Sequence, residues 1–278
     1  MKKIIFALWV VSLGLSNVAW SAACATSGTT TVFPTGASGY AQRCDLEPDY
    51  FGVTIYKMML CTSAPVAPTG AAVAGTSTCQ TVFTSASGSA VSIASGASTP
   101  LVGTATRPDN GTYTHAFVEM SNVLVIGDSR EYSTSLDGYN IAANTTNGGG
   151  VFCATTAAGS KCGAAAITAV NHSSALGDLN GAAPGYINQL TGIANAVGTS
   201  SVYLVDSAYL LEASLAADVI YLVGMQAFTT PIVITDDTSS MDVAFTSSTG
   251  MSVFDVAAQG GDDVYVTTGP FALKMTTK

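Results

Sequence analysis

Charge is scarce in this chain. Charged residues make up 10% of its 278 positions, against about 25% in a typical soluble domain. That excludes a coiled coil, whose flanks need many Glu and Lys. Basic residues are scarcer still, nine Lys and Arg against eighteen Asp and Glu, for a formal net charge of -9. A surface of that sign repels nucleic acid and anionic lipid, so neither is an expected partner. The histidines are His115 and His172 alone, and Glu stands only at 47, 119, 131 and 212. Both tryptophans, Trp9 and Trp20, lie at the N-terminus. No two cysteines are spaced C-x-x-C, which argues against zinc and against a redox dithiol. Gly148-Gly149-Gly150 lacks the Lys and Ser or Thr of a phosphate loop. The apolar stretch from Val202 to Phe228 is broken by Asp206, Glu212 and Asp218, each costly at bilayer depth, so it does not span a membrane.

Small uncharged residues are abundant instead. Ala, Ser, Thr and Gly fill 133 of the 278 positions. Hydrophobic residues reach 48%, enough for a core and too many for charge-driven disorder. The length suits one large domain or two small ones.

Residues 1–23 read as a secretory signal peptide. Lys2 and Lys3 form the basic start, Ile4 to Leu15 the apolar stretch, and Ser21-Ala22-Ala23 the small residues before a cut at Cys24. Ala19-Trp20-Ser21 offers a second cut. Two other readings are open. An uncleaved anchor needs about 20 apolar residues, more than stand here. A lipidated Cys24 would have Leu where Ser21 stands. Export to the periplasm, cell surface or medium follows. Cleavage removes both Trp and two Lys, leaving a net charge of -11.

An even number of cysteines in an exported chain reads as disulfides. Sequence order and short loops favour Cys24–Cys44, Cys61–Cys79 and Cys153–Cys162, the last across the small-residue loop from Ala154 to Lys161.

Residues 24–48 are an N-terminal arm rich in Ser, Thr and Gly. Strands follow at Tyr50 to Cys61, Gln80 to Phe83, Ala90 to Ala94 and, after the Asn110-Gly111 turn, Thr112 to Ile126. In the last of these, Tyr113, His115, Phe117 and Glu119 share one face by alternation. Residues 128–200 show weak strand patterning and read as a loop-rich insertion. There Tyr186, Leu190, Ile193 and Val197 recur near every fourth position, which predicts a short helix over 185–197. Strands return at Val202 to Leu211 and Asp218 to Phe228, although Ala and Leu also permit a helix over 208–217. Further strands are expected at Pro231 to Thr235, Met241 to Thr246, Met251 to Val256, Asp263 to Thr267 and Phe271 to Met275. The expected fold is all-β: one antiparallel β-sandwich over 49–278, transthyretin-like or immunoglobulin-like, with its insertion at about 128–200.

Several of these segments form a familiar pattern: Val53-x-Ile55 ending in Leu60-Cys61, Val91 to Gly96, Gly111 to His115, Pro231 to Thr235, and Asp242 to Phe245. Together they resemble a family of bacterial secreted domains of unknown function with a transthyretin-like or carbohydrate-binding-like β-sandwich. The pattern departs at Ser92, where the family has Asp. The resemblance implies a fold and an exported location, and no active site.

Candidate chemistry is thin. Val123 to Arg130 resembles the strand and Gly-Asp-Ser entry of certain esterases, with Ser129 as nucleophile. Neither His stands in the Asp-x-x-His arrangement such enzymes use. A strand ending in a Gly-Asp turn is the plainer reading. Glu119 and His115 could do acid–base work, or form an exposed strand face. Asp236 with Asp237, or Asp262 with Asp263, could hold a structural Ca²⁺, which takes oxygen ligands. Asp45-x-Glu47-x-Asp49 is a third acidic cluster; none has EF-hand spacing. Tyr50, Tyr56, Tyr113, Tyr203, Tyr209, Tyr221 and Tyr265 fall in expected strands. Of these, Tyr56, Tyr113 and Tyr203 are the candidates for stacking on a sugar ring.

The leading expectation is a non-catalytic surface or extracellular structural subunit, partnered by copies of itself in an oligomer or fibre. The stretch Thr29 to Phe33 could add to a neighbour's sheet edge, or lie as an edge strand of its own domain. The alternative is a monomeric carbohydrate-binding module, with a secreted hydrolase third. No cofactor is expected beyond the possible Ca²⁺.

Overall fold

β-Branched and aromatic residues are frequent in the strands of this chain, where they take up the pleated conformation that suits them. The computed structural model describes residues 22–27, 30–32, 43–92, 100–132, 151–179, 188–195, 197–213, 217–246, 248–255, 264–269 and 271–277. These residues form strands and no helix. In chain order the strands are β1 (Ala22–Ala23), β2 (Ala25–Ser27), β3 (Thr30–Val32), β4 (Arg43–Leu46), β5 (Tyr50–Cys61), β6 (Cys79–Ser92) and β7 (Thr104–Ala105). Next come β8 (Gly111–Ser121), β9 (Val123–Gly127), β10 (Ser129–Tyr132), β11 (Phe152–Thr156), β12 (Gly159–Gly163) and β13 (His172–Ala175). The last are β14 (Gln189–Asn195), β15 (Gly198–Val205), β16 (Tyr221–Ile234), β17 (Met241–Thr246), β18 (Met251–Asp255), β19 (Val264–Thr268) and β20 (Ala272–Thr277).

A nine-stranded antiparallel sheet organises the molecule. Its spine is β5. Leu60 pairs with Gln80 of β6 and with Ala116 of β8, so β6 and β8 flank β5 on opposite edges. β9 continues beyond β8 along the same edge, through Gly52 opposite Val125. The outer edge of this kinked strand changes partner at Asn122: β16 pairs with β8 and β13 pairs with β9. Buried Asn122 holds the junction, its side-chain amide donating to the Leu176 and Val219 carbonyls at 3.1 Å each. β15 and β14 extend the sheet beyond β16.

One face of this sheet carries the main core. Phe51, Ile55, Leu60, Met120, Leu124, Ile126, Leu204 and Ile234 are almost fully buried there. Each stabilises the fold by about 1.5–3 kcal/mol relative to exposure. The opposite face carries a smaller cluster of Met59, Cys61, Phe117, Tyr203, Val205, Leu211, Val223 and Met225. The other strands form a five-stranded sheet (β12-β11-β10-β3-β2), a four-stranded sheet (β1-β4-β18-β19) and the β17–β20 pair. The chain passes from the main sheet to the five-stranded one at Asp128, between β9 and β10.

The three disulfides are Cys24–Cys44, Cys61–Cys79 and Cys153–Cys162, and they leave no free cysteine. Cys61 pairs directly with Cys79 across β5 and β6, and Cys153 with Cys162 across β11 and β12. Bridges closing such loops stabilise by about 2–4 kcal/mol each, mainly by restricting the unfolded chain.

Several expectations need correction. The helix expected over 185–197 is absent: Gln189–Asn195 is strand β14, and 185–187 lie outside the described residues. A bulge explains the helix-like spacing. Leu190 pairs with Val202 and Ile193 with Ser200, so one extra residue keeps Leu190 and Ile193 on one face. Gly192 sits in that bulge at φ 71°. Strands β10 to β14 run through 128–200, where patterning was weak. The alternative of a helix over 208–217 is likewise not formed among the described residues. The expected strand to Leu211 stops at Val205, and the strands expected at Gln80 to Phe83 and from Ala90 join as the single strand β6, which ends at Ser92; 93 and 94 lie outside the described residues.

Candidate functional site

The small-cluster face of the main sheet opens into a groove of about 590 Å³. Lys57, Phe117, Glu119 and Val223 line its sheet side. Residues from the loop between β5 and β6, among them Pro68, Val73 and Thr76, form one wall. That loop is closed at its base by the Cys61–Cys79 bridge and held by backbone bonds between Val66 and Gly75 and between Thr69 and Ala72.

The other wall is aromatic. Tyr209 and Tyr221 stack with centroids 4.8 Å apart and planes 3° from parallel. Tyr56 meets Tyr221 edge-on, at 5.4 Å and 87°. All three rings are half-buried.

Each ring is brought there by a break in regular structure. On β5, Ile55 pairs with Met120 and Lys57 with Glu119. Tyr56 is therefore the extra residue of a bulge, so that Tyr56 and Lys57, although adjacent, both line the groove. β6 yields opposite it: Lys57 pairs with Thr84 and Ile55 with Ser89. Gly88 in that excursion has φ 79°, and a Cβ there would collide with Thr54 Cγ2 and lie 3.0 Å from the Tyr56 ring. A Gly88→Ala variant is expected to lose about 1–3 kcal/mol, from a left-handed backbone carrying a side chain and from displacement of Tyr56. Urea unfolding of the oxidised protein measures this; unchanged stability would contradict it.

Tyr209 sits in a turn, not in the strand expected for it. It is the one described non-glycine residue in the left-handed region, at φ 63°. The Asp206 carboxylate holds the turn by accepting from the Ala208 and Leu210 amides at 2.8 and 2.9 Å. The Tyr209 hydroxyl donates to Glu119 Oε1 at 2.7 Å. Burial, then the Glu119 hydrogen bond, pushes the phenol far above its ordinary range, so it keeps its proton. Glu119 is 9% exposed and lies directly opposite Lys57 on β5 and Val223 on β16.

The three stacking candidates part company. Tyr56 lines the groove. Tyr113 is buried in the main core, its hydroxyl donating to the Asp109 carbonyl at 2.8 Å. Strict alternation would place Tyr113 with Glu119. Facing β16 is irregular between Ala227 and Ile232, and Tyr113 and Ala116 both enter the main core. Tyr203 is on the groove's side of the sheet but only 5% exposed. Tyr209 and Tyr221 complete the array.

The remaining candidates lie elsewhere. Ser129 donates to the Ile167 carbonyl at 2.5 Å. His172 Nδ1 donates to the Ala157 carbonyl at 3.2 Å, and His115 Nδ1 is 2.8 Å from Thr114 Oγ1. Neither imidazole is a partner of Ser129 or Glu119. Asp236 accepts from the Asn110 side chain at 2.6 Å and, like Asp237, is exposed. Asp262 and Asp263 lie outside the described residues. No group of three or more His, Cys, Asp or Glu suited to a metal ion occurs among the described residues. Asp45 of the third acidic cluster is buried and accepts from Ser252.

Comparison with protein-family models, curated proteins and solved structures gives no match. No helix among the described residues is long and apolar enough to cross a membrane.

Proposed function

We propose that the chain is an exported, disulfide-stapled β-sandwich that binds carbohydrate in this groove without acting on it. The tyrosine array carries the reading. Tyr56, Tyr209 and Tyr221 gather apolar ring area and polar hydroxyls beside one carboxylate and one ammonium. Such a combination suits a sugar, whose ring face is apolar and whose rim is hydroxylated. The strained turn at Tyr209 supports it, since strain of that kind gathers at binding sites. Glu119 is the one carboxylate among the lining residues, whereas glycoside hydrolysis by the common route needs two. Export is supported by the leader and by three disulfides, which persist in oxidising compartments.

This reading is preferred to the structural subunit because of the N-terminal arm. β3 pairs with β2 on one edge and β10 on the other. A strand flanked on both sides within its own chain has no edge to lend.

The test is isothermal titration of the oxidised protein, starting at Cys24, with oligosaccharides chosen from a glycan array. Tyr221→Ala is expected to weaken binding about thirtyfold, the effect of losing a central aromatic anchor worth about 2 kcal/mol. A wild-type protein that retains no glycan, or a Tyr221→Ala variant that binds as wild type, would overturn the proposal.

A further inference from the structure

We infer that the groove selects a neutral saccharide with adjacent free hydroxyls, gripped by Lys57 and Glu119 together. This rests on the carbohydrate-binding reading and adds the class of sugar.

The charges in the groove cancel. Lys57 and Glu119 are its charged lining residues, and they are directly opposed on neighbouring strands. Residues so placed have Cβ atoms about 5 Å apart. They present an acceptor and a donor side by side, with no net charge. A pair of neighbouring hydroxyls answers both, because each hydroxyl donates and accepts. An anionic sugar would meet the Glu119 carboxylate and a chain whose net charge is -11 once residues 1–23 are removed. A cationic ligand would meet Lys57.

The pair is prepared for that task. Tyr209 occupies Glu119 Oε1, which orients the carboxylate and leaves Oε2 to accept from a ligand. Lys57 makes no side-chain hydrogen bond among the described residues, so its ammonium is available. Thr76, Thr84 and Ser85 add hydroxyls to the lining. Glu119 and Lys57 are thus specificity residues, and Tyr209 is both a stacking platform and the positioning residue for Glu119.

The inference is tested with soluble polysaccharides in native affinity gels: a β-glucan, a xylan and a galactomannan as neutral probes, polygalacturonate and chondroitin sulfate as acidic ones. At least one neutral polymer is expected to retard the protein, equally at low and high salt. Glu119→Gln and Lys57→Met are each expected to weaken that binding about tenfold or more, the effect of losing a charge-assisted hydrogen bond. Their thermal unfolding is recorded alongside, and either variant suffices if the other fails to fold. Tighter, salt-sensitive binding to the acidic polymers overturns the inference and leaves the carbohydrate-binding reading standing. So does neutral binding unaffected by a well-folded variant. Binding to no polymer of either kind overturns both.

Discussion

Replacing Arg130 by Met is expected to destabilise the folded protein by about 3–5 kcal/mol at neutral pH. The reason lies in the joint between two sheets. Asp128 sits where β9 leaves the main sheet and β10 enters the five-stranded one. Its backbone is clamped to Thr155: the Asp128 amide donates to Thr155 Oγ1 at 3.0 Å, and its carbonyl accepts from the Thr155 amide at 2.9 Å. Its carboxylate is 3% exposed. Arg130 Nε donates to Oδ2 at 2.6 Å, Nη2 donates to Oδ1, and Nη2 also reaches the Glu47 carbonyl at 2.8 Å. Burial raises the carboxyl pKa of Asp128 and Arg130 opposes that rise; the Asp49 charge adds to it, and the Asp49 backbone hydrogen bond lowers it. The intact pair is thus a compromise, and its worth appears when one partner goes. Without the guanidinium, a buried carboxylate has no counter-ion.

The sign of the pH dependence follows. A carboxyl whose folded pKa is above its unfolded value contributes stability below the unfolded pKa and loses it as pH rises through the folded one. Arg130→Met raises the folded pKa of Asp128 further. The variant's deficit is therefore largest at neutral pH and shrinks as the buried carboxyl takes up a proton in acid. Adding Asp128→Asn should return much of the loss. Urea unfolding of the oxidised variants, followed by circular dichroism at neutral and mildly acidic pH, measures all three effects. A deficit that is constant with pH would rule out the unpaired carboxylate as its source.

Composition made the all-β class legible, because β-branched and aromatic runs with alternating burial have few other uses. Strands β5, β17 and β20 fall close to where alternation places them. The errors arise where the period of two breaks. The bulge between Leu190 and Ile193 imitates a helical repeat. Tyr113 changes face where β16 is irregular. Asp206 stops β15 by capping two amides, an ordinary turn device obscured by the Ala and Leu around it. The candidate site was legible in part: Glu119 and Tyr56 stood among the candidate residues, whereas Tyr209 and Tyr221 were read only as tyrosines in expected strands. Their convergence was not legible. It depends on the Tyr56 bulge, on the space left by Gly88 and on a left-handed tyrosine, and alternation predicts none of these.

Asn188→Ala is expected to cost about 3 kcal/mol or more and to weaken ligand binding with it. Asn188 is fully buried. Its side chain satisfies three backbone groups: Oδ1 accepts from the Leu179 amide at 2.9 Å, and Nδ2 donates to the Gly177 and Ala213 carbonyls at 2.9 and 3.0 Å. Truncation leaves those groups without this partner, at about 1–3 kcal/mol for each that stays buried and unsatisfied. The effect should reach the groove through the turn that carries Tyr209. The Asn188 amide donates to the Glu212 carbonyl, the Glu212 amide to the Leu204 carbonyl, and the Leu204 amide to the Asn188 carbonyl. The far end of the Tyr209 turn is thereby tied to β15 and to Asn188 at once. Freed of the Ala213 anchor, the turn has less to hold Tyr209 at φ 63°, and the ring leaves the Tyr221 stack and Glu119 more often. Hydrogen exchange should quicken at the Leu179, Leu210 and Glu212 amides, and affinity should fall about tenfold in conditions where the variant is still folded. Full affinity in a folded variant with fast exchange at those amides would show that the groove does not depend on this anchor, and that the stack and the Asp206 cap alone hold Tyr209 in place.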